Sequence, residues 1–160
     1  RMAMENSQTP TALIFSRQAV ANLPESTDYA LAAKGAYVVK SVENPACHAI
    51  ASGSEVSTLM EASEILEKEG IGINIISCPS EGLFKTQSKE YRESVLPTGA
   101  KAYGLTAGLP VTLESLVGIN GHVHGLDSFG QSAPYKVLDR KFGFTPEFVA
   151  EDIKKYISGK

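Results

Sequence analysis

One chain of 160 residues suits a single domain, long enough to bury roughly 70% of the surface that its unfolded form exposes. Its 42% apolar and 21% charged residues exclude disordered and collagen-like classes, while 15 Lys and Arg against 18 Asp and Glu, without blocks of like charge, exclude the basic footprint of a nucleic-acid binder. The longest apolar runs, at 11–15 and 71–78, fall well short of the roughly 20 residues that span a bilayer. Cys47 and Cys78 lack C-x-x-C spacing, so neither a zinc site nor a disulfide framework is expected, and reduced cytosolic thiols are. The first residues offer no apolar signal core and no initiating Met, and the chain is expected to be a piece of something longer.

In chain order, the apolar, partly β-branched run at 11–15 after Pro10 predicts a strand buried on both faces, with Ser16-Arg17-Gln18 at its tip. Residues 19–34 carry Asn22, Pro24, Glu25, Ser26 and Asp28 without a sustained period and are expected to form a connector, with a boundary near Gly35. Strands are predicted at 36–39 and 48–51, separated by the Glu43-Asn44-Pro45 turn. Gly53-Ser54 breaks the second strand, and Ser54 is the expected N-cap of a helix. Val56, Leu59, Met60, Ser63 and Leu66 then recur at helical spacing until Gly70. The run Ile71, Ile73, Ile75, Ile76 returns as a strand, completing a βαβ unit with parallel strands and a right-handed crossover.

Beyond Pro79, short helices are expected at 81–85 and 88–95, a strand at 101–106, a weak helix at 111–117 and a strand at 121–126. Thr145 and Pro146 should cap and open a last helix with the stripe Phe148, Val149, Ile153, Tyr156, Ile157. The fold class is therefore α/β, a three-layer sandwich around a mostly parallel, roughly five-stranded sheet.

Arg17 at a strand tip could hold an anion, because a guanidinium forks two hydrogen bonds onto phosphate where open α/β sheets place ligands. Pairing with a carboxylate across a domain contact is the alternative. Ser54 at a helix start could likewise offer backbone N–H groups to an anion. The G-x-G-x-x-G fingerprint is absent, however, and Glu55 already supplies negative charge to the positive end of the helix. His122 and His124 should project from one strand face, but two ligands are too few for a metal, and hydrogen-bonded or exposed histidines are expected. Cys47 and His48, as strand neighbours, face opposite sides and cannot form a thiolate–imidazole pair. Tyr91-Arg92 and Arg140-Lys141 are assigned to helices without chemistry, and no catalytic residue or metal ligand emerges.

The ordered motifs say more. Ala51-Ser52-Gly53-Ser54-Glu55-Val56, Ile76-Ser77-Cys78-Pro79-Ser80, Tyr91-Arg92-Glu93-Ser94-Val95-Leu96-Pro97, Phe129-Gly130-Gln131-Ser132-Ala133-Pro134 and Phe142-Gly143-Phe144-Thr145-Pro146 resemble, in order, the C-terminal region of transketolases. Upstream, residues 10–18 look like the last strand of that family's pyrimidine-binding domain, and the first residues like the end of a preceding helix. The resemblance implies two parts: 1–34, the tail of the pyrimidine-binding domain plus linker, and 35–160, the C-terminal domain. It implies a cytoplasmic, homodimeric parent that moves a two-carbon ketol unit from ketose phosphates to aldose phosphates in the pentose phosphate pathway. Thiamine diphosphate and a divalent cation, magnesium or calcium, would be held outside this chain.

Within that family the arginine of the Ser-Arg-Gln motif grips the sugar phosphate, and it maps onto Arg17. The piece alone would be inactive, serving domain packing, dimer assembly and phosphate binding. Departures occur at Gly104-Leu105-Thr106-Ala107-Gly108, where many members have Glu before Ala-Gly, and at His122 and His124, where members commonly carry apolar residues. The other classes are a regulatory phosphate- or nucleotide-binding module, the C-terminal domain of another thiamine diphosphate enzyme, and a small enzyme using Cys47 or Cys78.

Overall fold

Five short strands form one sheet in the order β1-β3-β2-β4-β5: β1 (Tyr37–Lys40), β2 (His48–Ala51), β3 (Asn74–Ser77), β4 (Ala102–Leu105) and β5 (His122–His124). All neighbours pair in parallel except β1 with β3. The computed structural model describes residues 2–17, 19–25 and 27–159, with Met2 by its backbone alone. Arg1, Gln18 and Ser26, expected in a helix end, the strand tip and the connector, lie outside the described residues.

A parallel sheet needs cover on both faces, and strand alternation supplies two apolar surfaces. Ala49, Ala51, Ile75, Tyr103 and Leu105 meet helix α2 (Ser54–Lys68) and the C-terminal helix on one side, through Val56, Leu59, Leu66, Val149 and Ile153. Ile50, Ile76 and Ala102 face Phe84 of α3 (Glu81–Lys85), Val95 of α4 (Lys89–Val95) and Val117 of α5 (Val111–Val117) on the other. Each large aliphatic side chain buried this way contributes about 1.5–3 kcal/mol. These layers are the expected sandwich.

Local chemistry explains the helix limits. Ser80, Ser88 and Thr145 accept the N–H groups of Leu83, Tyr91 and Phe148, capping α3, α4 and the last helix, α7 (Pro146–Ser158). Pro146 sits in the first turn, as the sequence predicts, and Gly159 closes α7 in the left-handed conformation. The start of α2 differs from expectation. Gly53, at φ 62° and ψ −134°, is its N-cap, and Ser54 is the first helical residue, its hydroxyl directed to Glu55 Oε1 at 3.3 Å. The turn out of β2 needs a backbone conformation that serine rarely adopts, so the cap falls one residue early.

A larger correction concerns residues 11–15. They form no strand; Leu13, Ile14 and Phe15 are 64%, 95% and 81% exposed. Extended backbone becomes a strand only where a neighbouring edge takes its N–H and C=O groups, and none of the five strands pairs with it. One further element is not expected from the sequence: residues of the expected connector form a 3-10 helix at Tyr29–Lys34, capped by Asp28. Helix α6 (Tyr135–Phe142), which precedes α7, carries Arg140 and Lys141, the pair that the sequence assigns to a helix without giving its bounds. The four-residue α1 (Met2–Glu5) matches the predicted helix end.

On the edge strand β1, the Lys40 ammonium turns inward to Ser63 Oγ at 2.8 Å and Glu67 Oε1 at 2.7 Å, and the pairing register shifts between Val38 and Lys40. Gly35, where the sequence places a boundary, has φ +89°, and a Cβ there would lie 2.3 Å from Phe84 N and 2.4 Å from Ser80 O. Both obstacles are backbone. We predict that Gly35→Ala lowers stability by about 2–4 kcal/mol, read from the urea midpoint. A loss below about 0.5 kcal/mol would show that the connector docks without this close approach.

Candidate functional site

In open α/β sheets ligands gather at the carboxyl ends of adjacent strands whose connections run in opposite directions. Here β2 leads through α2 to β3, and its neighbour β4 leads through α5 to β5 on the other side. Gly53 and Ser54 stand at the carboxyl end of β2. Ser16 comes against them: its Oγ lies 3.2 Å from where a Gly53 Cβ would be. Thus the structure brings the Ser16-Arg17 segment and the Gly53-Ser54 turn together. Arg17 itself is exposed in a bend, and no described carboxylate pairs with it. The alternative of an ion pair across a contact is not found among the described residues.

Beside this turn a cleft of about 530 Å³ runs between Ala19, Val20 and Ala21, the first turns of α2, and α6 and α7. Ser54 lines it, but so do Glu55, Glu61, Asp139 and Glu147, against Lys136 and Arg140 as its cations. Burial holds the Glu55 carboxyl above the ordinary carboxylate range, while its own backbone N–H and the Ser54 hydroxyl pull it down and the Asp139 charge adds to the rise. Asp139 is also raised by burial. The carboxylate of Glu55 therefore occupies the helix start at which Ser54 was expected to meet an anion.

The other candidates resolve differently. His122 and His124 do share the α7 side of β5. Nε2 of His122 lies 3.1 Å from Asp152 Oδ2 and that of His124 lies 2.9 Å from the Phe142 carbonyl. Tyr103, fully buried, donates its hydroxyl to the same Asp152 oxygen at 2.8 Å, and Tyr156 stacks on His122 at 6.0 Å between centroids. Both histidines are thus hydrogen-bonded, and among the described residues no group of three or more His, Cys, Asp or Glu could hold a metal ion. Asp152 and Tyr103 were missed by the sequence; their meeting depends on packing between distant elements, and no local spacing signals it.

Cys47 and Cys78 are buried, and burial pushes both thiols up to about 12, so neither is a nucleophile near neutrality. On β2, the His48 imidazole is held below its ordinary value by burial, and its Nδ1 has no hydrogen-bond partner among the described residues. Tyr91 donates its hydroxyl to the Ala36 carbonyl at 2.8 Å and Arg92 Nη1 donates to that of Lys85 at 3.2 Å, which are structural roles.

Comparison with known proteins adds the following. The family profile Transketolase-like TK C-terminal domain matches residues 35–145. A Transketolase 2 of Vibrio parahaemolyticus is 40% identical over 161 residues, covering 99% of this chain and 24% of that protein. A transketolase of Staphylococcus epidermidis is 39% identical over 160 residues, 96% of this chain and 24% of its own length. The chain thus spans about a quarter of the length of these relatives. Among solved structures, a transketolase variant from Pichia stipitis superposes with a TM-score of 0.82 at 32% identity, over 89% of this chain and 20% of that one. The same yeast's transketolase complex with sedoheptulose-7-phosphate gives 0.78 at 31%, over 84% and 19%.

Two outcomes test this local chemistry. A carboxyl raised in the folded state favours the native fold fully below its unfolded value, and that contribution is lost as pH rises through the folded value. Glu55→Gln, which cannot ionise, is therefore expected to raise the melting temperature near about pH 7.5 and to leave it little changed near about pH 4. Equal shifts at both would contradict the burial effect. For the thiols, roughly one in 10⁴ is ionised at pH 8. A thiol-disulfide reagent should find no reactive group in the folded chain and both Cys47 and Cys78 in urea; rapid labelling of either native thiol would count against it.

Proposed function

Because the chain belongs to the transketolase family and carries its C-terminal domain, we propose that it works as one part of a larger enzyme transferring a two-carbon ketol unit from ketose phosphates to aldose phosphates, with Arg17 gripping the substrate phosphate. The carrying observation is the likeness to full-length transketolases across 99% of the chain, the Ser16-Arg17 segment included. Solved relatives include a complex with sedoheptulose-7-phosphate, a substrate of the expected class. Arg17, exposed and without a carboxylate partner among the described residues, suits a guanidinium that meets a ligand.

Thiamine diphosphate, bound by the parent with its divalent cation, supplies the carbanion chemistry. On this reading the cofactor and its cation are held by the rest of the enzyme. The division is 1–34 for the tail of the preceding domain with its linker, and 35–160 for the C-terminal domain. Exposed Leu13, Ile14 and Phe15 are the surface that the preceding domain covers in the whole, cytoplasmic, homodimeric enzyme. No observation favours a separate nucleotide-binding role, since Glu55 already sits at the α2 start.

Two measurements decide. The isolated 160 residues, supplied with thiamine diphosphate and magnesium, should show no ketol transfer; cofactor-dependent turnover would overturn the assignment. In the full-length enzyme, Arg17→Ala should raise KM for phosphorylated donors about tenfold or more, since a charge-assisted phosphate contact is worth about 1.5–3 kcal/mol. KM for unphosphorylated analogues should stay within about twofold. Equal losses with both would remove Arg17 from the phosphate.

A further inference from the structure

We propose that Gly53, in the C-terminal domain, is a positioning residue for Arg17, the turn out of β2 acting as the seat on which the arginine-bearing segment rests. The inference rests on the phosphate role proposed for Arg17 and adds what sets the guanidinium in place. Arg17 lies in an otherwise irregular, exposed stretch, and a long side chain on unsupported backbone would spread its charge over many positions. Three observations supply the support.

The residue before Arg17 touches the seat, with Ser16 Oγ 3.2 Å from the site of a Gly53 Cβ. That distance is tighter than ordinary van der Waals contact, so only a glycine lets Ser16 settle there undisturbed. The residues beyond, Ala19 to Ala21, border the same cleft as Ser54, Glu55, Ser57 and Thr58 on the first turns of α2. Farther on, Leu23 packs against the main core, and its carbonyl accepts the Tyr29 hydroxyl at 3.4 Å. The chain therefore makes contacts on both sides of Arg17 in sequence.

Gly53 suits this role in a second way. Its φ of 62° and ψ of −134° lie where L side chains rarely go, and the conformation lets the chain leave β2 and enter α2 with Gly53 O accepting the Val56 N–H at 3.3 Å. One glycine thereby starts the helix and keeps the surface above it clear for Ser16. Neither Gly53 nor Ser16 needs to touch the substrate. Their effect reaches the phosphate through the placement of Arg17.

The test uses the full-length enzyme with Gly53→Ala, Ser16→Phe and Arg17→Ala. Ser16 is exposed, so Ser16→Phe lifts the segment while sparing the fold, which an unchanged melting temperature verifies. Gly53→Ala and Ser16→Phe are each expected to raise KM for phosphorylated donors at least about fivefold. Their kcat and their KM for unphosphorylated donors should stay within about twofold. Adding Arg17→Ala to Ser16→Phe should produce less than about half the further rise that Arg17→Ala causes alone, because both act on one contact. If Arg17→Ala raises KM selectively while folded Ser16→Phe and Gly53→Ala leave it unchanged, the seat is wrong and the phosphate role stands. Should Arg17→Ala itself be unselective, the phosphate role fails, and the seat has no ligand to serve.

Discussion

Everything in this domain depends on a sheet whose central strands have no solvent-facing side. Ala49, Ile50, Ala51, Ile75, Ile76, Tyr103 and Leu105 are all wholly inaccessible. Parallel pairing demands crossovers, and crossovers that cover both faces must leave β2 and β4 in opposite directions. That requirement puts the start of α2 at the carboxyl end of β2, beside the place where the adjacent connections diverge. The Gly53 turn against which Ser16 lies is placed there by how the core is enclosed.

The opposite end of the sheet carries a different polar group. Asp152 takes hydrogen bonds from Tyr103 and His122, while the Tyr156 hydroxyl accepts the Ala102 N–H and donates to the Asn120 carbonyl. These bonds tie β4 and β5 to α7 at their amino ends. Burial and the neighbouring Asp152 charge raise the Tyr103 hydroxyl far above its ordinary value, which keeps it a neutral donor. Polar side chains at that end hold the third layer in place, whereas the carboxyl end of the sheet is the one at which the proposed Arg17 contact would lie.

Much of the architecture was legible because it is local. The residues at 81–85 and the Thr145-Pro146 pair carry cap and turn chemistry within a few positions, and their helices form as expected. The β2–α2–β3 unit follows from Gly53, the apolar spacing of α2 and the isoleucines of β3. Residues 11–15 failed for the converse reason: an apolar run proclaims a buried strand, but the edge that would pair with it is not among these five. Helix α6 was legible only as a helical setting for Arg140 and Lys141, without bounds, because it buries no residue fully and neither of its ends carries a side-chain cap. At the site, Arg17 and Gly53 were each visible as residue types in suggestive places. Their neighbourhood was not, since nothing in local spacing tells Ser16 that it will rest on a turn far along the chain.

The inward ammonium of Lys40 has a consequence for the sheet's outer border. With β3 on one side only, β1 exposes a row of unpaired backbone groups that a foreign strand could extend. Any such newcomer would have to lie beside a cation already committed to Ser63 and Glu67, across a register that slips between Val38 and Lys40. The border is thereby poorly suited to accretion by a foreign strand.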